Sequence, residues 1–95
     1  MTMFVAVAKV RIIMQQNDSL KDKRRVLSSM TQRLRAKFNV AVAEVELQDV
    51  WRQAVLGIVT VSSSPSFVRE SLDTVVRFIE GNFPVEVAAV TIDVF

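Results

Sequence analysis

The chain contains no histidine and no cysteine among its 95 residues. Histidine is the commonest general base and metal ligand in proteins, and cysteine supplies disulfides, thiolate metal ligands and thiol nucleophiles. Their absence excludes disulfides, thiolate metal sites and catalysis that depends on imidazole or thiol groups. A chain without cysteine is also typical of the reducing cytosol, so we expect a cytoplasmic protein.

Glycine and proline are scarce, with two residues of each. Phosphate-binding loops need several closely spaced glycines, whereas Gly57 and Gly81 stand far apart. The Gly-x-x-Gly pattern of KH domains is missing for the same reason. Gly57 lies within a predicted strand, where we expect it to let a helix approach the sheet.

Long hydrophobic runs are also lacking. A membrane-spanning helix needs about 20 consecutive apolar residues, and Lys9 and Arg11 interrupt the first apolar run. The opening residues have no basic region and no small-residue cleavage site, which favours a strand over a signal peptide. We therefore expect no membrane association and one domain over residues 1–95.

The apolar pattern predicts the element order βαββαβ. Strands alternate apolar and polar residues with period two, and helices repeat them every three to four residues. Ser19 is the expected N-cap of the first helix, and Asn39 its expected left-handed end. The predicted strands cover residues 3–14, 40–47, about 51–62 and 85–95, and the predicted helices cover 19–38 and about 66–80.

Each predicted element has an expected buried side. The first helix buries a stripe formed by Leu20, Leu27, Met30, Leu34 and Phe38. The first strand turns Phe4, Ala6, Ala8, Val10, Ile12 and Met14 inward, the second Ala41, Ala43, Val45 and Leu47, and the last Ala88, Val90, Ile92 and Val94. In the third strand both alternating sets are apolar, so its orientation stays open and both of its faces are expected to be covered.

Two βαβ units in tandem predict a ferredoxin-like α+β sandwich. Right-handed crossovers place both helices on one face of a four-stranded antiparallel sheet. This fold is found in enzymes, RNA-binding proteins and regulatory dimers, so it does not decide the function.

Charge is distributed unevenly along the chain. Residues 19–38 carry seven cations and one acid, a net charge of +6, whereas the remaining residues sum to −4. The second helix is balanced at −1. Such an asymmetry between segments indicates an anionic partner, although a solvated basic helix face is the simpler alternative.

The start of the first helix is the candidate anion-binding site. A helix start carries partial positive charge, so cations there are unexpected unless an anion joins the exposed backbone amides. Lys23 falls within the apolar stripe, and we expect its ammonium to reach past the sheet edge. The candidate residues are Lys21, Lys23, Arg24, Arg25 and Arg35. Trp51, the only tryptophan, is either an edge contact for nucleic acid or a plug at the end of the core.

The sequence does not predict an enzyme, a cofactor or a metal site. Glu44 and Glu46 are expected on one side of a strand, which makes a carboxylate pair conceivable. The alternation of valine and glutamate is nevertheless the ordinary pattern of a half-exposed strand.

The open face of the predicted sheet favours a second copy of the chain. The side chains expected there are Val5, Val7, Val40, Val42, Val87, Lys9, Arg11 and Glu44. They include no aromatic pair, so RNA bases are not expected to stack on the sheet. Monomers rarely leave such apolar patches bare, which favours a homodimer formed face to face or edge to edge.

Several motifs carry a resemblance to a known family. "SLKDKRR", "KFNVAVAEVELQDVW" and "AVLGI" together resemble the small bacterial YlxP-like family, a domain of unknown function, over essentially the whole chain. The resemblance implies a ferredoxin-like fold, a cytoplasmic protein, and a gene often found among translation and transcription factors, near one for a ribosome-binding factor. It implies no catalytic residue, and Leu47 stands where the family usually has histidine or asparagine.

The residues and the resemblance together lead to one functional hypothesis. We expect a non-enzymatic cytoplasmic domain that binds RNA or a ribosomal particle through its basic first helix. The alternative is a homodimeric structural or regulatory protein without nucleic-acid contact.

Overall fold

The computed structural model describes residues 2–95. Four strands and two helices follow the predicted order βαββαβ. They are β1 (Phe4–Ile13), α1 (Leu20–Lys37), β2 (Ala41–Glu46), β3 (Gln53–Ser62), α2 (Pro65–Asn82) and β4 (Glu86–Val94).

The strands form one antiparallel sheet in the order β2-β3-β1-β4, and both helices pack on one of its faces. The ferredoxin-like α+β prediction is therefore confirmed. Central strand β1 pairs with β3 over its whole length and turns Ala6, Ala8, Val10 and Ile12 into the core, where each is fully buried. None of the helices in residues 2–95 has the length and hydropathy needed to cross a membrane.

The helix boundaries follow from local hydrogen bonds. Ser19 caps α1 by accepting from the Asp22 amide at 3.1 Å, as predicted. Ser64 caps α2 in the same way, with Pro65 in the first turn. The predicted left-handed end at Asn39 is wrong, because α1 closes at Phe38 in an extended conformation and Leu47 is the one non-glycine residue with positive φ in the described chain.

Two bulges interrupt the edge strands and change which side chains face the helices. In β2, Glu44 pairs with Leu56 and Glu46 with Val55, so Val45 has no partner. Before this bulge Val42 is buried under the helices, whereas Ala41 and Ala43 are exposed. The predicted inward face of β2 is therefore wrong.

The bulge in β4 has a similar effect. Ala89 pairs with Arg11 and Val87 with Ile12, so Ala88 has no partner in β1 and is exposed. Val87 packs against the core, contrary to the prediction that it lies on the open face. Beyond the bulge, Ile92 and Val94 pack against the core as predicted.

Gly57 accommodates the β2 bulge rather than a helix. A Cβ atom at Gly57 would lie 3.0 Å from Cγ1 of Val45, whose side chain covers this point on the open face. Ala54, Leu56, Ile58 and Thr60 are the β3 residues that face the helices. The role expected for Gly57 in helix approach is therefore corrected.

The open face of the sheet has an apolar half and a charged half. Val5 and Val7 lie there as predicted, beside Val59 and Val61 of β3. Toward the other end, Lys9 pairs with Glu46, and Arg11 donates to the Gln53 side chain at 3.3 Å. Val55 is buried beneath this charged half.

Candidate nucleic-acid interface

The seven cations of residues 19–38 lie in different environments. Lys23 is buried, Arg33 and Lys37 lie over aromatic rings, and Arg35 donates to the sheet edge. The other three are exposed and make no ion pair with the described residues: Lys21, Arg24 and Arg25. The net charge of this segment therefore overstates the charge that a ligand meets.

Lys23 is an internal residue, with 1% of its surface exposed. Its ammonium donates to the carbonyl oxygens of Leu47 and Val50, both at 2.7 Å, and lies 3.3 Å from that of Gln48. These three residues belong to the loop between β2 and β3 (residues 47–52, the hairpin loop). Lys23 therefore ties α1 to the hairpin loop, and its predicted role in anion binding is corrected.

Glu44 supplies the countercharge of this buried ammonium. Its Oε2 atom lies 2.7 Å from Nζ of Lys23, beside the three carbonyl oxygens that the ammonium also contacts. The contact is thus an electrostatic one between a buried cation and a partly buried carboxylate. Glu44 lies on the helix side of the sheet, not on the open face as predicted.

The protein's own groups occupy part of the helix start. The Asp22 amide donates to Ser19, and the Asp18 amide donates to the Asp22 carboxylate at 3.0 Å. Asp18 also pairs with Arg52 at 3.3 Å. The capped Asp22 amide and the two nearby carboxylates therefore make the backbone amides a poorer anion receptor than predicted, and the exposed side chains are the stronger candidates.

Arg33 and Lys37 are held at the interface between the two helices. The Arg33 guanidinium lies 4.5 Å from the ring centroid of Phe83, and the Lys37 ammonium lies 5.3 Å from that of Phe78. Phe78 also meets Phe38 edge to face at 5.5 Å. Both cations are thus used in packing α1 against α2 and the residues after it.

Arg35 points toward the opposite side of α1. Its guanidinium donates to the outward carbonyl of Val42 at 3.0 Å, which satisfies an unpaired backbone group of edge strand β2. The side chain remains largely exposed, so it keeps donors for a ligand.

Lys21, Arg24 and Arg25 form an exposed cluster in the first two turns of α1, called the basic cluster below. None of the three makes an ion pair or a side-chain hydrogen bond with another described residue. The structure therefore leaves their charges uncompensated.

A groove of ≈ 320 Å³ runs between α1 and β2, beginning beside the basic cluster. Arg24 and Arg35 lie near its two ends, Ser28 and Gln32 line the helix side, and Leu56 lies at its base. Its wall also includes Glu44, whose charge is offset by Lys23. The groove thus combines arginines with neutral polar donors.

Trp51 lies at the same end of the molecule. Its carbonyl accepts a hydrogen bond from the buried side chain of Asn17, and the neighbouring Arg52 donates to the Asn17 carbonyl at 2.9 Å. Asn17 lies three residues before the first residue of α1, so these bonds hold the backbone of Trp51 near the segment that leads into the helix. With 51% of its surface exposed, Trp51 does not plug the core.

The two carboxylates considered for catalysis are separated by the β2 bulge. Glu44 contacts Lys23 on the helix side, whereas Glu46 pairs with Lys9 on the open face. Residues 2–95 contain no cluster of three or more acidic, histidine or cysteine side chains arranged to hold a metal ion. The carboxylate pair considered from the sequence is therefore not formed.

Comparison with known proteins identifies the family. A family model described as "Protein of unknown function (DUF503)" matches residues 5–92. The chain belongs to the DUF503 family. This DUF503 domain is also 38% identical over 80 residues to "Uncharacterized protein YlxP" of Bacillus subtilis (strain 168), a match that covers 84% of the chain and 86% of the relative. The resemblance seen in the sequence is thereby confirmed.

The fold of this DUF503 domain also occurs among solved structures. The de novo designed protein Foldit4 matches it with a TM-score of 0.53 and 13% sequence identity, over 97% of this chain and 96% of the designed one. At this identity the likeness shows the fold alone. Neither the family description nor the name of the relative states an activity.

Proposed function

We propose that this DUF503 domain binds RNA through phosphate contacts made by the basic cluster, either on free RNA or on a ribosomal particle. One observation carries the proposal: Lys21, Arg24 and Arg25 are exposed on adjacent turns with no carboxylate partner in residues 2–95. Phosphate groups are the natural counterions of such a cluster, and RNA is the abundant polyphosphate of the cytoplasm, where we place the protein.

The surrounding acids offset this cluster only in part. Asp18 is paired with Arg52, and Asp22 is a single carboxylate beside the three cations of the cluster. Glu44 is matched by the buried Lys23. The positive potential of the cluster therefore extends into solvent, where it attracts a polyanion.

We further propose that the protein acts as a binding module rather than as an enzyme. Glu44 and Glu46, the carboxylates closest in sequence within one strand, are each paired with a lysine on opposite faces of the sheet. General acid–base catalysis by two carboxylates needs both on one side of a substrate, so this arrangement does not favour it.

Charge reversal of the basic cluster tests the RNA proposal. Lys21→Glu combined with Arg25→Glu should weaken RNA binding by about tenfold or more, because two phosphate contacts are lost. Each lost contact should also lower the salt slope of the affinity by about one. Binding is measured by fluorescence anisotropy of a labelled RNA between about 50 and 200 mM salt. The matched control, Arg69→Glu with Arg77→Glu, makes the same charge change on α2 and should have a much smaller effect.

An affinity that is independent of salt, or equal losses in the two double variants, would contradict the proposal. Circular dichroism and urea unfolding of each variant check that the fold is retained. The substituted side chains are exposed, so we expect stability changes of about 0.5 kcal/mol or less.

The apolar half of the open face supports a second candidate function, that of a homodimer. Val5, Val7 and Val59 are half-buried there, while Val61 and Phe95 are 50% and 73% exposed. A second copy that covers this half would remove these side chains from water. Such a dimer is compatible with RNA binding, because α1 lies on the other face of the sheet.

Substitution of Val7 by lysine tests the homodimer. The ammonium would lie in the centre of a face-to-face interface, where an unpaired charge is unfavourable, so Val7→Lys should give monomers in sedimentation equilibrium. Phe67→Lys on the exposed surface of α2 is the control and should leave the association state unchanged. A dimer that persists in Val7→Lys, or a wild-type chain that is monomeric at all concentrations, would exclude this interface.

A further inference from the structure

We infer that the bound RNA is single-stranded, with an unpaired base stacked on Trp51 while neighbouring phosphates contact the basic cluster. This inference rests on the proposed function and specifies its substrate class. It follows from the exposure of the one tryptophan, from the way its loop is held, and from the groove that begins beside the basic cluster.

Trp51 is an exposed aromatic residue in a loop that is held against the segment leading into α1. The Asn17 amide donates to its carbonyl at 3.1 Å, and the Met14 amide donates to the carbonyl of Arg52 at 2.8 Å. Both donors belong to the segment that leads into α1. The loop that carries Trp51 is therefore fixed against the segment that leads into the helix bearing the basic cluster.

The hairpin loop turns backbone carbonyls inward and leaves its side chains exposed. Three of its carbonyls accept from Lys23, one from the Asn17 side chain, and that of Arg52 from the Met14 amide. Leu47, Val50 and Trp51 point away from these donors and remain exposed. Burying an ammonium is unfavourable unless its protons are hydrogen-bonded. The bonds from Lys23 to the loop carbonyls therefore fix the conformation of the hairpin loop.

A base can stack on Trp51 only if it is unpaired. In an A-form duplex the bases are stacked on each other and the side chains meet phosphates and 2′-hydroxyls, whereas single strands offer their base faces to aromatic residues. An exposed tryptophan beside a basic cluster is the combination found in proteins that bind single strands.

The groove between α1 and β2 gives a strand bound at the basic cluster a path along α1. Arg24 and Arg35 are three helical turns apart on the same side of α1, a distance of about 16 Å. Ser28 and Gln32 lie between them and can donate to phosphate or ribose oxygens. Since Lys23 offsets the charge of Glu44, the groove presents no net negative charge to the backbone.

The single tryptophan makes the inference directly measurable. Trp51 fluorescence should be quenched on titration with single-stranded oligoadenylate and much less with an RNA hairpin duplex of equal phosphate number. Trp51→Leu should weaken oligoadenylate binding roughly 5- to 150-fold, the range expected for loss of one stacked base, whereas Trp51→Phe should keep most of the affinity. Phe67→Ala, which removes an exposed aromatic ring on α2, is the matched control and should bind as the wild type does.

The possible results separate this inference from the proposed function. Salt-dependent binding that is lost in Lys21→Glu/Arg25→Glu but is unchanged in Trp51→Leu would overturn the inference and leave the proposed function standing. Equal affinity for the duplex and the single strand would do the same. No binding of either RNA would overturn both, and would direct attention to a protein partner for the exposed hairpin loop.

Discussion

Replacing the buried Lys23 with methionine should destabilise the protein by about 3–5 kcal/mol. This is the largest loss of stability that we expect from a single substitution. Methionine fills a similar volume but leaves the partly buried Glu44 carboxylate without its cation. It also removes the donor shared by the carbonyls of Leu47, Gln48 and Val50. Urea unfolding gives the change in the free energy of unfolding.

Two further variants isolate the contribution of the ion pair. In Lys23→Met/Glu44→Leu the unpaired carboxylate is gone, so this double variant should be more stable than Lys23→Met by about 1–3 kcal/mol. Lys21→Met, two residues earlier but on the exposed side of α1, should change stability by about 0.5 kcal/mol or less. A Lys23→Met protein as stable as Lys21→Met would show that the ammonium does not hold the hairpin loop.

Phe78→Ala should destabilise the protein by about 2–4 kcal/mol, because it removes a partly buried ring that packs against the core between Phe38 and Phe83. The Phe78 ring meets Phe38 and Phe83 edge to face at 5.5 and 5.8 Å, and the Lys37 ammonium lies 5.3 Å from its centroid. Both edge-to-face pairs and the cation contact are lost together with the buried area.

Phe67→Ala provides the comparison for Phe78→Ala on the same helix. Phe67 is 54% exposed, so its removal should change stability by about 0.5 kcal/mol. Phe78→Leu keeps apolar volume without the aromatic ring and should fall between the two. Thermal unfolding followed by circular dichroism orders the three variants, and equal midpoints for Phe67→Ala and Phe78→Ala would contradict the proposed role of the aromatic contact.

The fold was predictable because its central elements have regular patterns. Strand β1 alternates strictly, so Ala6 to Ile12 could be assigned to the core from the sequence alone. The stripes of α1 and α2 repeat at helical spacing, and serine caps mark both helix starts. These local signals and the rule of right-handed crossovers are enough to define the topology.

The faces of the edge strands were predictable only in part: in β4 a bulge breaks the alternation from which a face is assigned, and in β2 both alternating sets contain apolar residues. A single unpaired residue, Val45, places Glu44 on the helix side and Glu46 on the open face. The sequence shows no glycine or proline at this position, and Gly57, the residue that makes room for Val45, lies on the neighbouring strand.

The candidate site was predictable in part. The excess of cations in α1 was evident, but the environments of Lys23, Arg33 and Lys37 depend on contacts with residues distant in sequence. A lysine within an apolar stripe is a useful signal of burial, since its charge then needs several acceptors nearby. Here those acceptors are backbone carbonyls, which no side-chain pattern reveals.

The bulges also bear on how the molecule behaves at high concentration. Both occur in the outermost strands, at Val45 of β2 and Ala88 of β4, and Arg35 occupies an outward carbonyl of β2. A straight edge strand with unpaired backbone groups allows a strand of another chain to pair with it and extend the sheet. Bulged edge strands disfavour this pairing. We therefore expect this small sheet to remain finite, with little tendency to polymerise into fibrils through strand addition.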